Sequence, residues 1–149
     1  MINLTQKERM LLEDQKSHEE TCIKKYNDYA NQAQDPELKQ LFRTYAAQEQ
    51  THLDTINQIL AGQLPNMGQG QQQNNQPGVK TNVNNQNDAT LCTDMLMTEK
   101  YVSSAYNTAI FEFRDPNIRQ ILNHIQKEEQ QHGEGIFNYM QSKGMYTVQ

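Results

Sequence analysis

Glu129 and His132 stand three residues apart, and eighty residues earlier Glu49 and His52 do the same. The offset carries more than these pairs. Asp115-Pro116 falls on Asp35-Pro36, Arg119-Gln120 on Lys39-Gln40 and Ile136 on Ile56. Glu99 falls on Glu19, and Tyr106 on Tyr26. The chain therefore contains two copies of one unit, each offering two carboxylates and one imidazole.

On a helix, residues three apart lie roughly 60° apart around the axis and about 4.5 Å along it. A Glu and a His so spaced can aim oxygen and nitrogen at one point. A lone Glu-x-x-His arises by chance in many helical proteins, whereas two copies at one offset, each with a matching upstream Glu, carry weight. Glu19, Glu49, His52, Glu99, Glu129 and His132 make up the ligand set of ferritin-like di-iron or di-manganese carboxylate proteins. The expected cofactor is two divalent metal ions, iron or manganese, with zinc also compatible. Two glutamates would bridge the ions, and each His would turn its second nitrogen to a neighbouring acceptor.

The elements that must position these residues are four amphipathic helices. The first is expected from Thr5, where Thr5-x-x-Glu8 reads as a capping box. Its apolar stripe, Leu12, Gln15, Glu19, Cys22 and Tyr26, is broken by Glu19, although burying an unpaired carboxylate is costly. Asp35-Pro36 starts the second helix, with Asp as N-cap and Pro at the first helical position. Its stripe runs through Leu38, Phe42, Tyr45, Glu49, His52 and Ile56 to a stop at Gly62. The third, from near Asp88, carries Leu91, Met95, Glu99, Val102 and Tyr106. Asp115-Pro116 starts the fourth, with Ile118, Leu122, Ile125, Glu129, His132 and Ile136, and Gly144 ends it. Glu19 precedes the first turn by about as many residues as Glu49 and His52 follow it. On an antiparallel hairpin at 1.5 Å per residue all three share one height, and the second hairpin repeats this.

The expected fold class is all-α: a ferritin-like four-helix bundle of two repeated hairpins, forming a single domain over residues 1–149. The hairpins cover about 5–61 and 89–143, joined by a long flexible crossover at about 63–88 that is rich in Gln and Asn. The tail through Gln149 is expected to fray. Glu8, Glu13, Glu20 and Glu128 fall off the apolar faces and read as solvated. Tyr26 and Tyr106 lie two turns from the Glu on their own helix, about 10 Å away, and read as core. Met95, Met97 and Met140 also read as core, and His18 and His124 as surface or boundary residues. Cys22 and Cys92 are not repeat mates and read as buried free thiols, axially mismatched for a disulfide.

A net charge of -5 gives no electrostatic case for nucleic acid. No apolar run approaches a membrane span, and the first residues lack the apolar core of a signal peptide. Synthesis in a reducing, intracellular compartment is the expectation. Mean hydropathy is low, at -0.95, but much of the polarity is Gln and Asn in the central tract.

Gln-Asp-Pro-Glu-Leu-Lys-Gln-Leu at 34–41 resembles the Coat F family of spore coat proteins from endospore-forming bacteria. The resemblance covers both helical halves. It implies a ferritin-like fold related to rubrerythrins and manganese catalases, assembly from the mother-cell cytoplasm into the spore coat, and other coat proteins or a second copy of the chain as partners. No Cys-x-x-Cys pair is present, which excludes a full rubrerythrin, and the chain is short for a typical manganese catalase. Two functions follow. One is a spore coat protein, involved in coat assembly or protection, whose bundle holds a dinuclear metal site. The other is an oxidoreductase using that site on peroxide or dioxygen. Metal carriage or storage is a third, weaker reading.

Overall fold

The computed structural model describes residues 2–65 and 86–149. They form four helices, α1 (Gln6–Gln32), α2 (Pro36–Leu60), α3 (Gln86–Glu112) and α4 (Pro116–Ser142). Each begins or ends where local chemistry requires. Thr5 and Glu8 form the reciprocal capping box of α1. Asp35 and Asp115 cap α2 and α4 by accepting the N–H groups of Glu37 and Asn117, with Pro following each. Gly62 and Gly144, past the ends of α2 and α4, take positive φ of 84° and 72°, which any side chain would strain. α3 starts two residues before Asp88. The expected crossover lies, from residue 66 to residue 85, outside the described residues.

α1 packs along α2, α3 along α4, and α1 along α3, while α2 and α4 are the least closely packed of the four neighbouring pairs. The result is a four-helix bundle made of two hairpins. Contacts across the bundle give its directions. Lys7 pairs with Glu112 and Lys25 with Asp94, so α1 and α3 are antiparallel. Tyr139 reaches Asp35 and His52 reaches Glu129, so α2 and α4 are antiparallel too.

The sequence repeat reappears as paired interactions. Lys39 donates to the Ala30 carbonyl at the end of α1, and its mate Arg119 donates to the Phe113 carbonyl after α3, at 3.3 and 2.5 Å. Glu8 accepts the Arg114 N–H of the α3–α4 turn at 3.2 Å. Its mate Asp88 accepts the N–H groups of Gln34 and Asp35 in the α1–α2 turn at 2.9 and 3.0 Å. One carboxylate at the head of each hairpin thus clasps the turn of the other. Glu8 is buried rather than solvated as its place off the stripe implied, because these backbone donors and Arg114 receive it.

The apolar core is split in two. One cluster, at the α1–α2 turn, contains Tyr26, Leu38, Phe42, Met95, Ile136 and Met140. The other, at the α3–α4 turn, contains Leu12, Ile56, Val102, Tyr106, Leu122 and Ile125. Cys22 and Cys92 are buried free thiols in different clusters. Met97, expected in the core, is exposed on α3. The tail does not simply fray: Met145 packs against the first cluster and Tyr146 sets its ring edge-on to Phe137.

Removing a buried carboxylate that accepts two backbone N–H groups deprives those donors of their charged partner. Asp88→Ala should lower unfolding free energy by roughly 2–4 kcal/mol. Asp88→Asn, which keeps one acceptor, should cost less. Exposed Asp14→Ala should stay within about 0.5 kcal/mol of the unmodified chain. Urea titration followed by helical circular dichroism measures all three, and equal midpoints for Asp88→Ala and Asp14→Ala would refute the clasp.

Candidate metal centre

Between the two apolar clusters lies a layer of charge. All six residues singled out by the repeat meet there, none more than 2% exposed. α1 and α3 each contribute the lone Glu, while α2 and α4 each contribute a Glu and a His one turn apart. The looser approach of α2 and α4 leaves room for these longer side chains. Two overlapping groups form: Glu19, Glu49, His52 and Glu129, and Glu49, Glu99, Glu129 and His132, each with ligand atoms within 4.8 Å of one another. Glu49 and Glu129 belong to both.

Each imidazole turns Nδ1 to the centre. His52 Nδ1 lies 2.9 Å from Glu129, 3.7 Å from Glu49 and 3.8 Å from Glu19. His132 Nδ1 lies 2.8 Å from Glu49, 3.4 Å from Glu99 and 3.7 Å from Glu129. The opposite nitrogens face outward to repeat mates, His52 Nε2 to Glu128 at 3.3 Å and His132 Nε2 to Gln48 at 2.5 Å. Both His residues thus have the outer acceptor that orients a ligating imidazole.

Three features were not legible from single-helix spacing. Glu128 is not a solvated bystander; it is half-buried, bridging His52 and His124, the latter at 2.7 Å. Its signal was the repeat, which places it opposite Gln48. Tyr26 and Tyr106 also act beyond packing. They are remote from the Glu of their own helix, but α1 and α3 are antiparallel, so each reaches the other helix's Glu. Tyr26 donates to Glu99 at 2.5 Å and Tyr106 to Glu19 at 2.6 Å. Tyr45, finally, stacks on His132 with ring centroids 4.2 Å apart. Gly135 makes that possible, since a Cβ there would stand 1.8 Å from the Tyr45 hydroxyl.

The donor set fits a metal centre by chemistry and by need. Five carboxylate oxygens of Glu19, Glu49, Glu99 and Glu129, together with His132 Nδ1, are buried without a hydrogen-bond partner. His132 Nδ1 comes within 2.8 Å of Glu49, an ion pair when the ring is protonated. Native interiors satisfy most of their buried polar atoms, and a bound ion is one partner that would satisfy so dense a group of exceptions. Oxygen and imidazole donors suit iron, manganese or zinc.

The same crowding displaces the titrations. Burial, reinforced by Glu49, pushes the Glu19 carboxyl well above its ordinary range. Burial with Glu49 and Glu99 does the same to Glu129. Glu49 goes the other way: burial pushes it up, but Glu19, His132 and His52 outweigh that and hold it well below. For His52, burial favours the neutral ring, yet Glu128, Glu49 and Glu19 overcome it and push its pKa up to about 10. His132 is raised likewise, burial being overcome by Glu49 and Glu99. Metal-free, the layer keeps protons on groups that lose them at lower pH in the unfolded chain.

Residues 87–149, which hold α3, α4 and the tail, match the family model of the Coat F domain. A Bacillus subtilis (strain 168) protein described as "Uncharacterized protein YusN" is 33% identical over 63 residues, which is 42% of this chain. The match spans 57% of that relative's length. No solved structure matches the chain.

The shifts fix a sign for stability against pH. Glu19, Glu129 and His52 are raised on folding, so the native chain binds more protons than the unfolded one above pH about 4.5 for the glutamates and about 6.5 for His52. Their contribution is complete below those values and is lost as pH climbs through the folded ones. Glu49 is depressed, so its contribution is lost only in acid. Metal-free protein should therefore melt roughly 5 °C or more lower at pH 9 than at pH 6. Metal-loaded protein should show the opposite slope from pH 5 to 7, because ligation needs ionised carboxylates and neutral imidazoles. Calorimetry of the two forms tests this, and parallel curves would count against a shared site.

Proposed function

We propose, on the premise that the C-terminal hairpin of this chain is a Coat F domain, that the protein is a spore coat component with a ferritin-like bundle built around a dinuclear metal centre. Glu19 and His52 would serve one ion, Glu99 and His132 the other, and Glu49 and Glu129 would bridge them. The bundle is read as one domain, made in the mother cell and assembled with other coat proteins. The observation that supports the metal reading is the convergence of six buried side chains, five of which carry inward atoms without a hydrogen-bond partner.

The chain's own residues have defined tasks in this reading. Tyr26 and Tyr106 hold Glu99 and Glu19 in place by donating to one oxygen and leaving the other free. Glu128 and Gln48 set the rings of His52 and His132 so that Nδ1 faces inward. The apolar clusters on either side exclude water along the bundle axis. Bound iron or manganese would supply one-electron chemistry there. A second reading, a peroxide- or dioxygen-consuming oxidoreductase, is favoured by a groove between α3 and α4 whose lining includes Glu99 and Glu129. Coat residence and turnover are compatible.

Protein produced with iron or manganese available should hold about two ions per chain, one for each of the two overlapping ligand groups. Glu49→Ala with Glu129→Ala should abolish binding. Exposed Glu13→Ala with Glu20→Ala should leave it intact. Glu128→Ala should weaken affinity about 10–100-fold through His52. Elemental analysis and metal titration read these outcomes, and equal retention in both double variants would sink the metal assignment. Immunodetection in spore coat extracts tests the location separately. Peroxide consumption by the loaded protein tests turnover.

A further inference from the structure

The two hairpins match at all six candidate ligand positions but not in the layer just outside them. One turn after Glu19 and Glu49 stand Ile23 and Leu53, both partly buried on the α1–α2 side. Their repeat mates, one turn after Glu99 and Glu129, are Ser103 and Gly133. Two branched aliphatic side chains on one seam are thus replaced by a hydroxymethyl group and a hydrogen atom on the other. At that place the α3–α4 side carries a groove of about 470 Å³, open to solvent and bordered by Ser103 and Gly133, with Glu99 and Glu129 in its lining. Lys100 and Glu134 stand at its exposed rim.

We propose that this α3–α4 seam, opened by Ser103 and Gly133, is the port through which divalent cations reach the carboxylate layer. The proposal rests on the metal-centre reading and adds the direction of entry and the residues that permit it. A hydrated cation needs a polar path and an electrostatic gradient. Ser103 lines the path, and the carboxylates of Glu99 and Glu129 lie at its inner end. Along the bundle axis the way is closed, because the apolar clusters fill both ends. The glycine has no evident backbone duty. It sits within α4 without positive φ. A Cβ at Gly133 would meet only Leu96 Cδ1, at an ordinary 3.8 Å. The helix therefore tolerates a side chain here, and what the glycine provides is space.

The test is stopped-flow uptake of Co²⁺ by metal-free full-length protein, followed by the absorption of the bound ion, with equilibrium stoichiometry measured on the same samples. Gly133→Leu, which installs the residue of the opposite seam, should slow uptake by about tenfold or more and leave stoichiometry unchanged. Ser103→Ile should act in the same direction and serves if the first variant folds poorly by circular dichroism. Gly133→Ala separates blocking from stiffening. It gains at least the helix propensity that Leu gains while filling little of the groove, so its rate should stay near that of the unmodified chain. Uptake by Gly133→Leu within twofold of the unmodified rate would overturn the port while leaving the metal centre standing. Equal slowing by Ala and Leu would also overturn it. Failure of the unmodified protein to take up Co²⁺ would remove the metal reading and the port together.

Discussion

Four carboxylates share one buried layer in the middle of this bundle, and much else in the structure answers the cost of keeping them there. Carboxylates removed from water lose solvation, and in a medium of low polarity they repel one another strongly. Without metal the chain has two remedies. It retains protons on Glu19 and Glu129, and it sets the raised imidazoles of His52 and His132 among the acids. Tyr26 and Tyr106 add a donor to each lone Glu from the facing helix. These remedies are incomplete, as the partnerless oxygens show. Two divalent cations would complete them by replacing protons with charge.

A polar layer also costs core continuity. It divides the apolar interior, so neither cluster extends along the whole bundle. The turns compensate. Glu8 and Asp88, one in each half, tie the start of one hairpin to the turn of the other, at opposite ends of the molecule. The sequence repeat thus has a mechanical meaning. Each hairpin is held by its partner at the turn, through a carboxylate to backbone N–H groups, and in the centre, through a tyrosine to a glutamate. Neither clasp can form within a single hairpin.

Helix boundaries and the six central residues were legible in the sequence because both depend on short-range regularities. Caps such as Thr5, Asp35 and Asp115 act over three residues, and the Glu-His pairs act over one turn. The readings that failed involve contacts between helices. Glu8 and Glu128 look solvated on a helical wheel, since a wheel records distance from the apolar stripe and not which neighbouring donors reach the flank. Tyr26 and Tyr106 are far from Glu19 and Glu99 along one helix. Only the antiparallel setting of α1 against α3 brings each to the opposite acid. Met97 shows the reverse error: a hydrophobic side chain near the stripe of α3 was counted as core, although it points outward. The eighty-residue offset held the missing information for Glu128, because it pairs that residue with Gln48, and residues so paired inherit equivalent positions.

The equivalence is incomplete in an orderly way. Where the two halves differ is around the central residues, and the differences make the two candidate ion positions chemically distinct. His52 is backed by the carboxylate of Glu128, which can draw on the ring proton and make Nδ1 a stronger donor. His132 is backed by the neutral amide of Gln48 and covered by the ring of Tyr45, where the other half has Ile125. Gly135, which receives that tyrosine, has Thr55 as its mate. The half with the weaker imidazole donor is also the half whose seam is open at Ser103 and Gly133. On the proposed reading, the ion nearer solvent would then be the more loosely held and the inner one the better anchored. A pair of identical sites could not divide labour in this way, whereas a duplicated hairpin that keeps its ligands and varies their surroundings can.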